Sequence, residues 1–320
     1  MSVGTSTSEV KLNRGARVKA TIQLISGGRM RETLGVRAFL IPIMLVVVIL
    51  IGVPFSESVY YSFTNWSGLD PKIKFVGLTN YVNVFTNPGL LSGLGFTVTF
   101  AIATTLLITV FAIPLAVMLN QKFFGHRFVR AAYFFPAIPS VAILGLVWNF
   151  ILNPLGYGAL NSVLHSILGV GPIPWLANTT LAQVSVIVVG VWTSTGWHAI
   201  LYLAYLQSIP SDYYEVAQID GASSKQRFFY ITLPLLMPAV TISTFLLMNG
   251  GLNVYALPQN LTGGGPGFAT HTITSSIITN GIEQTKYGQA SALGVVFMIV
   301  IGLVLLIQMK VIRRFERRLT

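Results

Sequence analysis

The sequence predicts an all-α membrane protein with six transmembrane helices and both termini in the cytoplasm, and three observations carry that prediction. Of 320 residues, 53% are hydrophobic and 9% charged, against roughly a quarter charged in soluble domains. Six apolar stretches, beginning near Ala38, Phe96, Val129, Leu181, Leu233 and Gly288, reach the roughly 20 residues that cross a bilayer. Basic residues cluster before the first stretch (Lys11 to Arg37), between the second and third (Lys122, Arg127, Arg130), between the fourth and fifth (Lys225, Arg227) and after the sixth (Lys310 to Arg318). Lys72, Lys74 and Lys286 alone fall on the other side, which is the positive-inside pattern. The net charge of +11 therefore orients the chain and is not a nucleic-acid footprint.

Residues 1–37 form a polar, Gly- and Ser-interrupted cytoplasmic tail with a short amphipathic piece from Val18 to Ile25, which reads as partly disordered or lying on the membrane surface. The first apolar run follows that basic tail without a small-residue cleavage site, so it reads as a retained span and not a signal peptide. Residues 38–92 comprise this span and an external loop. Tyr60, Tyr61 and Trp66 fall where amphipathic aromatics favour the outer interface. The absence of cysteine excludes disulfides and thiolate metal sites.

Residues 93–312 form the core with five spans, followed by a basic tail at 313–320. No Asp, Glu, Lys or Arg occurs between Arg130 and Asp212, so charge is excluded from most of the bundle. The loop segments NPLGYGALNSVL and PIPWL read as turns and a short interfacial helix. Prolines 42, 54, 114, 136, 139 and 238 lie in or beside spans, where they bend helices. No internal repeat is visible, which leaves inverted-repeat transporters without support.

The polar island YEVAQIDGASSKQRFFYITLP, Tyr214 to Pro234, lies between two apolar spans. Pro210 ends the fourth span, and Asp212 with Glu215 has the spacing of a capping box, predicting a helix from Tyr213. Over 211–222 such a helix is about 18 Å long, with Tyr214, Ala217, Gln218 and Gly221 on one face. Docking of that face to a soluble partner and packing of it under the bundle are both open on spacing alone. No G-x4-G-K-[ST] loop occurs, and GGGPG at 263–267 lacks the lysine that cradles phosphate.

Glu215, Ala217, Gly221, Ile231, Leu233 and Pro234 fall at the spacing of the EAA signature of membrane subunits of binding-protein-dependent ABC importers, with Val216 where Ala is usual. The stretch VGLTNYVNVF resembles that family's GLxNYxxxF. Asn153, Pro154, Gly158 and Asn161 match its NPxxGxxN, and LTGGGPG resembles the LTxGGP of its carbohydrate-uptake branch. Together these cover about Ala38 to Arg314. The resemblance, to permeases such as those of the maltose and glycerol-3-phosphate importers, implies a type I ABC importer fold in a bacterial inner membrane. It implies a coupling helix over 211–222 seated in an ATPase subunit, with Tyr214, Glu215, Ala217, Asp220, Gly221 and Ala222 at the contact. It further implies an outer loop of Gly263, Gly264, Gly265 and Pro266. The implied partners are a second, similar permease, two nucleotide-binding subunits carrying ATP and Mg, and an external sugar-binding protein. No cofactor, metal or catalytic residue is expected in this chain.

A sugar passage needs hydroxyl partners and flat apolar faces without fixed charge. Trp192, Trp197 and Tyr202 in the fourth span, with Asn249, Asn253 and Tyr255 in the fifth, supply them. Interhelical hydrogen bonding is the competing role for the two asparagines, and His198 reads as an interhelical donor because no carboxylate lies in the apolar runs to pair with it. An ion-coupled transporter or channel would need ionisable groups at mid-membrane depth, and an embedded enzyme a nucleophile, base and orienting group. Neither set is present in the apolar runs.

Overall fold

The computed structural model describes residues 40–70, 72–121 and 123–319; the tail at 1–37, with its Val18 to Ile25 piece, lies outside the described residues. The chain divides between Ser58 and Val59 into two compact units. The described part of the first belongs to α1 (Leu40–Tyr61), a 22-residue apolar helix. It carries a π turn at Val48–Gly52 just before Pro54, whose missing N–H frees a carbonyl one turn earlier.

The second unit opens with an extended crossing, Thr64 bridged antiparallel to Phe75, and α2 (Thr79–Thr86). Asn80 pins this segment by donating to the carbonyls of Ser62 (2.9 Å) and Thr64 (2.8 Å). The Tyr81 hydroxyl meets Ser62 Oγ at 2.7 Å. Then follow α3 (Pro88–Asn120), α4 (His126–Phe134), α5 (Val141–Ile151), α6 (Ala159–Leu168), α7 (Thr179–Leu206) and α8 (Asp212–Ile219). The chain continues through α9 (Ser224–Leu252), α10 (Ala256–Thr262), α11 (Ile273–Ile278) with a π turn at Thr279–Glu283, and α12 (Tyr287–Leu319).

Among the described residues five helices are long and apolar enough to cross a membrane: α1, α3, α7, α9 and α12. The predicted third span differs. It is a pair, α4 with its 3-10 extension to Ala137 and then α5, bent by 95°. Pro136 and Pro139 remove two backbone donors within four residues, and Ser140, extended at φ −63° and ψ 142°, starts a new helix by accepting from Ile143 N–H, an N-cap. The fifth predicted span is shifted: α9 starts at Ser224, before the predicted Leu233, and stops at Leu252, so Asn253 and Tyr255 lie in the break before α10. At the other end, α12 continues as helix through 313–319.

Helices α3, α7 and α9 form the centre, with Ile108, Ala112, Leu119, Leu203, Leu236 and Ala239 buried together. Missing side chains set the spacing. A Cβ on Gly251 would lie 2.7 Å from Ala101 Cα, and one on Gly196 would overlap the Tyr133 carbonyl oxygen. Small residues of this kind let helices approach where lipid offers no hydrophobic drive. Threonines in the bundle return their hydroxyls to their own helix, as Thr193 does to the Val189 carbonyl at 2.7 Å.

The loop between α5 and α7 is knotted around Asn161, 2% exposed. Its Nδ2 donates to the carbonyls of Asn153 (3.1 Å) and Ile173 (3.0 Å), while Oδ1 accepts from Ile173 N–H (3.1 Å) and Trp175 Nε1 (3.0 Å). Deleting that amide leaves several half-buried groups of Asn153, Ile173 and Trp175 without their partner, at up to about 1–3 kcal/mol each. Asn161→Ala should therefore lower the thermal unfolding midpoint of the detergent-solubilised chain clearly, with a stability loss of about 2–4 kcal/mol, whereas the exposed Ser166→Ala should leave it unchanged.

Candidate functional site

The α8 helix is shorter than its sequence implies, eight residues from Asp212 to Ile219, or about 12 Å. The predicted capping box does not form. Ser211 already has helical angles (φ −62°, ψ −29°) and no side chain caps the helix, so Asp212 lies inside the first turn, where its carboxylate complements the helix dipole. A capping box does occur one element later, at the start of α9. There Gln226 Oε1 accepts from Ser223 N–H at 2.8 Å and Ser223 Oγ from Gln226 N–H at 3.3 Å.

Gly221 ends α8 rather than continuing it. Its φ of +78° is left-handed, Gly221 N–H donates to the Gln218 carbonyl and Ala222 N–H to that of Ala217. This is a Schellman C-cap. A Cβ at Gly221 would meet nothing within 4 Å, so backbone angle, not close approach, requires glycine.

The face expected to dock is partly turned toward the chain itself. Tyr214 turns inward, its hydroxyl 3.1 Å from Thr232 Oγ1 in α9; Ala217 is half-buried, and Gln218 Oε1 accepts from Arg227 Nη1 at 3.4 Å. Tyr213 (55% exposed), Val216 (58%) and Ile219 (85%) point outward instead. Asp212, Tyr213, Val216, Ala217, Asp220 and Ile231 line a groove of about 400 Å³, apolar in its floor and acidic at two edges. Glu215 and Ala222 stand beside it, exposed and half-buried respectively. The i, i+3 spacing of Tyr213, Val216 and Ile219 was the available signal for this face.

At the opposite end of the bundle the glycine loop is braced, not slack. Gly263, Gly264 and Gly267 all have positive φ, and the Gly265–Pro266 peptide is cis. Thr270 Oγ1 donates to the Gly265 carbonyl at 2.9 Å and meets Thr262 Oγ1 at 2.6 Å. Side chains from three other helices grip the flanks: Ser92 on the Phe268 carbonyl (2.8 Å), Asn149 on that of Leu261 (2.7 Å) and Gln183 on that of Ala269 (2.8 Å). A Cβ on Gly264 would lie 2.9 Å from His271 Nδ1. Burial holds the His271 imidazole below its ordinary pKa of 6.5, with nearby Glu283 pulling it the other way.

In the middle of the bundle a cavity of about 260 Å³ is lined by Phe100, Thr104, Thr193, Ser194, His198 and Gly250 among others. His198 Nδ1 lies 2.7 Å from Ser243 Oγ, an interhelical bond between α7 and α9. Trp192 and Trp197 are 42% and 44% exposed on the surface of α7, Trp192 edge-on to Trp148 at 5.3 Å. Tyr202 is sealed in the core at 0% exposure, so it packs the bundle and does not form an open wall. Asn249 and Asn253 are exposed at the end of α9, with Asn253 Nδ2 donating to the Asn249 carbonyl at 2.9 Å. Tyr255 is half-buried at the break. The passage residues thus divide between an exposed α7–α9 surface and the core.

Residues 108–318 match the family described as the binding-protein-dependent transport system inner membrane component, and the chain belongs to it. It is 31% identical over 279 residues to the probable starch degradation products transport system permease protein AmyD of Thermoanaerobacterium thermosulfurigenes, covering 87% of this chain and 94% of that one. It is 34% identical over 279 residues to the trehalose/maltose transport system permease protein MalF of Thermococcus litoralis, covering 87% and 93%. A subunit of a bacterial ABC transporter involved in import of the acidic polysaccharide alginate has the same fold, with TM-score 0.73 and 23% identity over 89% of this chain and 96% of that one. The chain is a multi-pass membrane subunit of a binding-protein-dependent importer.

Two outcomes are expected. Gly221→Ala forces an L-residue into left-handed geometry at about 1–2 kcal/mol, so amide exchange at Ala222 should accelerate, while Gly221→Asn, which tolerates that region, should change it little. For His271 the folded pKa lies below the unfolded one, so no penalty exists above pH 6.5. Loop stability is then lost as pH falls through that value, because the unfolded chain takes up the proton first. Amide exchange in 263–271 should therefore rise between pH 7.5 and 5.5 in the wild type and stay flat in His271→Gln.

Proposed function

We propose that this chain is one of two permease subunits of an ATP-driven importer for a neutral sugar or oligosaccharide, in a bacterial inner membrane with both termini cytoplasmic. The observation that carries the reading is the exposed apolar face of α8, Tyr213, Val216 and Ile219, on a short helix tied to the span that follows it. The bent pair α4–α5 serves as the third of six spans. Two ATPase subunits, carrying ATP and Mg, receive the α8 helix, and an external binding protein delivers substrate to the glycine-loop end.

In this mechanism closure of the ATPase dimer displaces α8, and the Tyr214–Thr232 contact passes the displacement into α9. Because α9 packs against α3 at Gly251 and Ala101, the motion moves helices as bodies and alternates access. Trp192, Trp197, Asn249 and Asn253 line the passage, where exposed amides in a span demand either water or a partner helix. The sugar class is supported by the uncharged walls of the central cavity and by the names of the relatives.

Replacing Val216 and Ile219 together with Asp puts two charges on the docking face without touching the Tyr214–Thr232 side of α8. The double variant should insert into membranes at wild-type level yet lose co-purifying ATPase at least tenfold. Retained ATPase and normal uptake of a maltotriose, arabinotriose and diacetylchitobiose panel would overturn the assignment of this face.

A further inference from the structure

The central cavity of about 260 Å³ lies inside the second unit, between α3, α7 and α9. Its mouth is on the exposed side of α9, where a Cβ on Gly250 would meet nothing within 4 Å. Its inner wall is formed by Phe100, Thr104, Thr193 and His198, each at most 9% exposed. Phe100 packs against Gly190, where a Cβ would lie 3.0 Å from the ring.

His198 is bonded on one edge only. Nδ1 lies 2.7 Å from Ser243 Oγ, while Nε2 has no hydrogen-bond partner among the described residues. Unlike the Thr105 hydroxyl, which is sealed in the core without a partner, Nε2 is not shut off from solvent; it opens into the cavity that His198 lines. Ser243 settles the position of the ring proton. Thr241 and Thr244 return their hydroxyls to the Met237 and Val240 carbonyls of their own helix, but Ser243 does not, so its hydrogen goes to Nδ1. In a neutral imidazole the ring proton then sits on Nε2, and a donor faces the cavity. An unpaired donor at this depth in a membrane bundle is costly and marks the place of an acceptor that the protein does not supply.

The rest of the wall narrows which acceptor fits. Thr104 and Thr193 give their hydrogens to the Phe100 and Val189 carbonyls, each at 2.7 Å, and keep lone pairs for a ligand hydroxyl. Ser194, one turn before His198, lines the same space with a hydroxyl that has no partner among the described residues. Phe100 supplies an apolar face. No charged side chain lines the cavity, so an ionic ligand would find no counter-charge there. One donor, several acceptors and an aromatic face complement a neutral ring bearing hydroxyls. The volume, just below the low end of drug-sized pockets, suits a single glycosyl ring.

We infer that His198 determines specificity in the passage: its Nε2–H donates to one oxygen of the terminal ring of the transported saccharide, and Ser243 is the positioning residue that turns this edge of the imidazole toward the cavity. The inference rests on the sugar-importer reading above and adds a specificity-determining residue to it. A ring that lacks an oxygen at that place leaves the buried donor unpaired, and the cost of that unpaired group is what discriminates.

The test uses the complete assembly in proteoliposomes with its binding protein. Maltotriose, arabinotriose and diacetylchitobiose are compared for uptake, and the one taken up fastest is then supplied as its series of terminal-ring monodeoxy analogues. In the wild type one analogue should lose about tenfold in kcat/KM, the size of one hydrogen bond. In His198→Asn the amide takes the place of Nδ1 beside Ser243 and leaves nothing at Nε2. There the parent saccharide should lose that tenfold and the same analogue nothing further, whereas losses arising at the binding protein appear alike in both chains. Wild-type uptake of the parent by His198→Asn, or an undiminished effect of every deoxy position in it, overturns the inference and leaves the importer reading standing. Gly250→Leu gives a second readout that leaves His198 in place: its Cβ has open space and its side chain fills the cavity. Uptake should be lost in it while ATPase still co-purifies, and uptake at the wild-type rate likewise overturns the inference. No uptake of any of the three probes by the wild type removes the sugar reading and the inference together.

Discussion

One hydrogen bond ties the short helix α8 to the span that follows it: Tyr214 of α8 to Thr232 of α9, 3.1 Å. A helix of eight residues with no capping side chain is marginal by itself. Its position comes from the Schellman turn at Gly221 behind it and from Tyr214 beneath it. Thr232 lies in the π turn near the start of the following span, so α8 is tied directly to the bundle. That geometry also decides which residues face outward. With Tyr214 turned in, Tyr213, Val216 and Ile219 point outward and leave an apolar groove flanked by two aspartates, the surface on which the proposed docking rests.

The bundle beside α8 is closely tied together. Without water in the hydrocarbon, polar groups must be satisfied internally, and here threonine hydroxyls bond back to their own helices while His198 and Ser243 pair across two. Glycine at 190, 196 and 251 lets backbone and side chains meet at contact distance. Closely packed helices move as bodies rather than deform. The glycine loop at the other end is held by Ser92, Asn149 and Gln183 from three helices, so it is tied to the bundle as well.

Much of this was legible in the sequence, and the misses have physical causes. Apolar run length located five helices, and the spacing of Glu215, Gly221 and Pro234 located the polar segment between α7 and α9. Run length did not show that the third span breaks, because a proline in a span does not by itself break it: Pro114 and Pro238 both sit inside continuous helices. The break needed Pro136, Pro139 and the Ser140 cap in one turn. Helical periodicity identified the faces of α8 but not which of them a tertiary bond to Thr232 turns inward. Gly221 was visible as essential, but its cause, a left-handed φ and not a crowded contact, was not.

The natural absence of cysteine in this chain permits the most direct test of the central claim. Single cysteines at Val216, Ile219 and Tyr214 can be probed with a short bismaleimide against a cysteine placed on the surface of the co-purifying ATPase. Cross-links from positions 216 and 219 that change in yield with ATP, and none from 214, are the expected result. Cross-linking from 214 in preference to 216 and 219, or from none of the three in an assembly that hydrolyses ATP, would contradict the account.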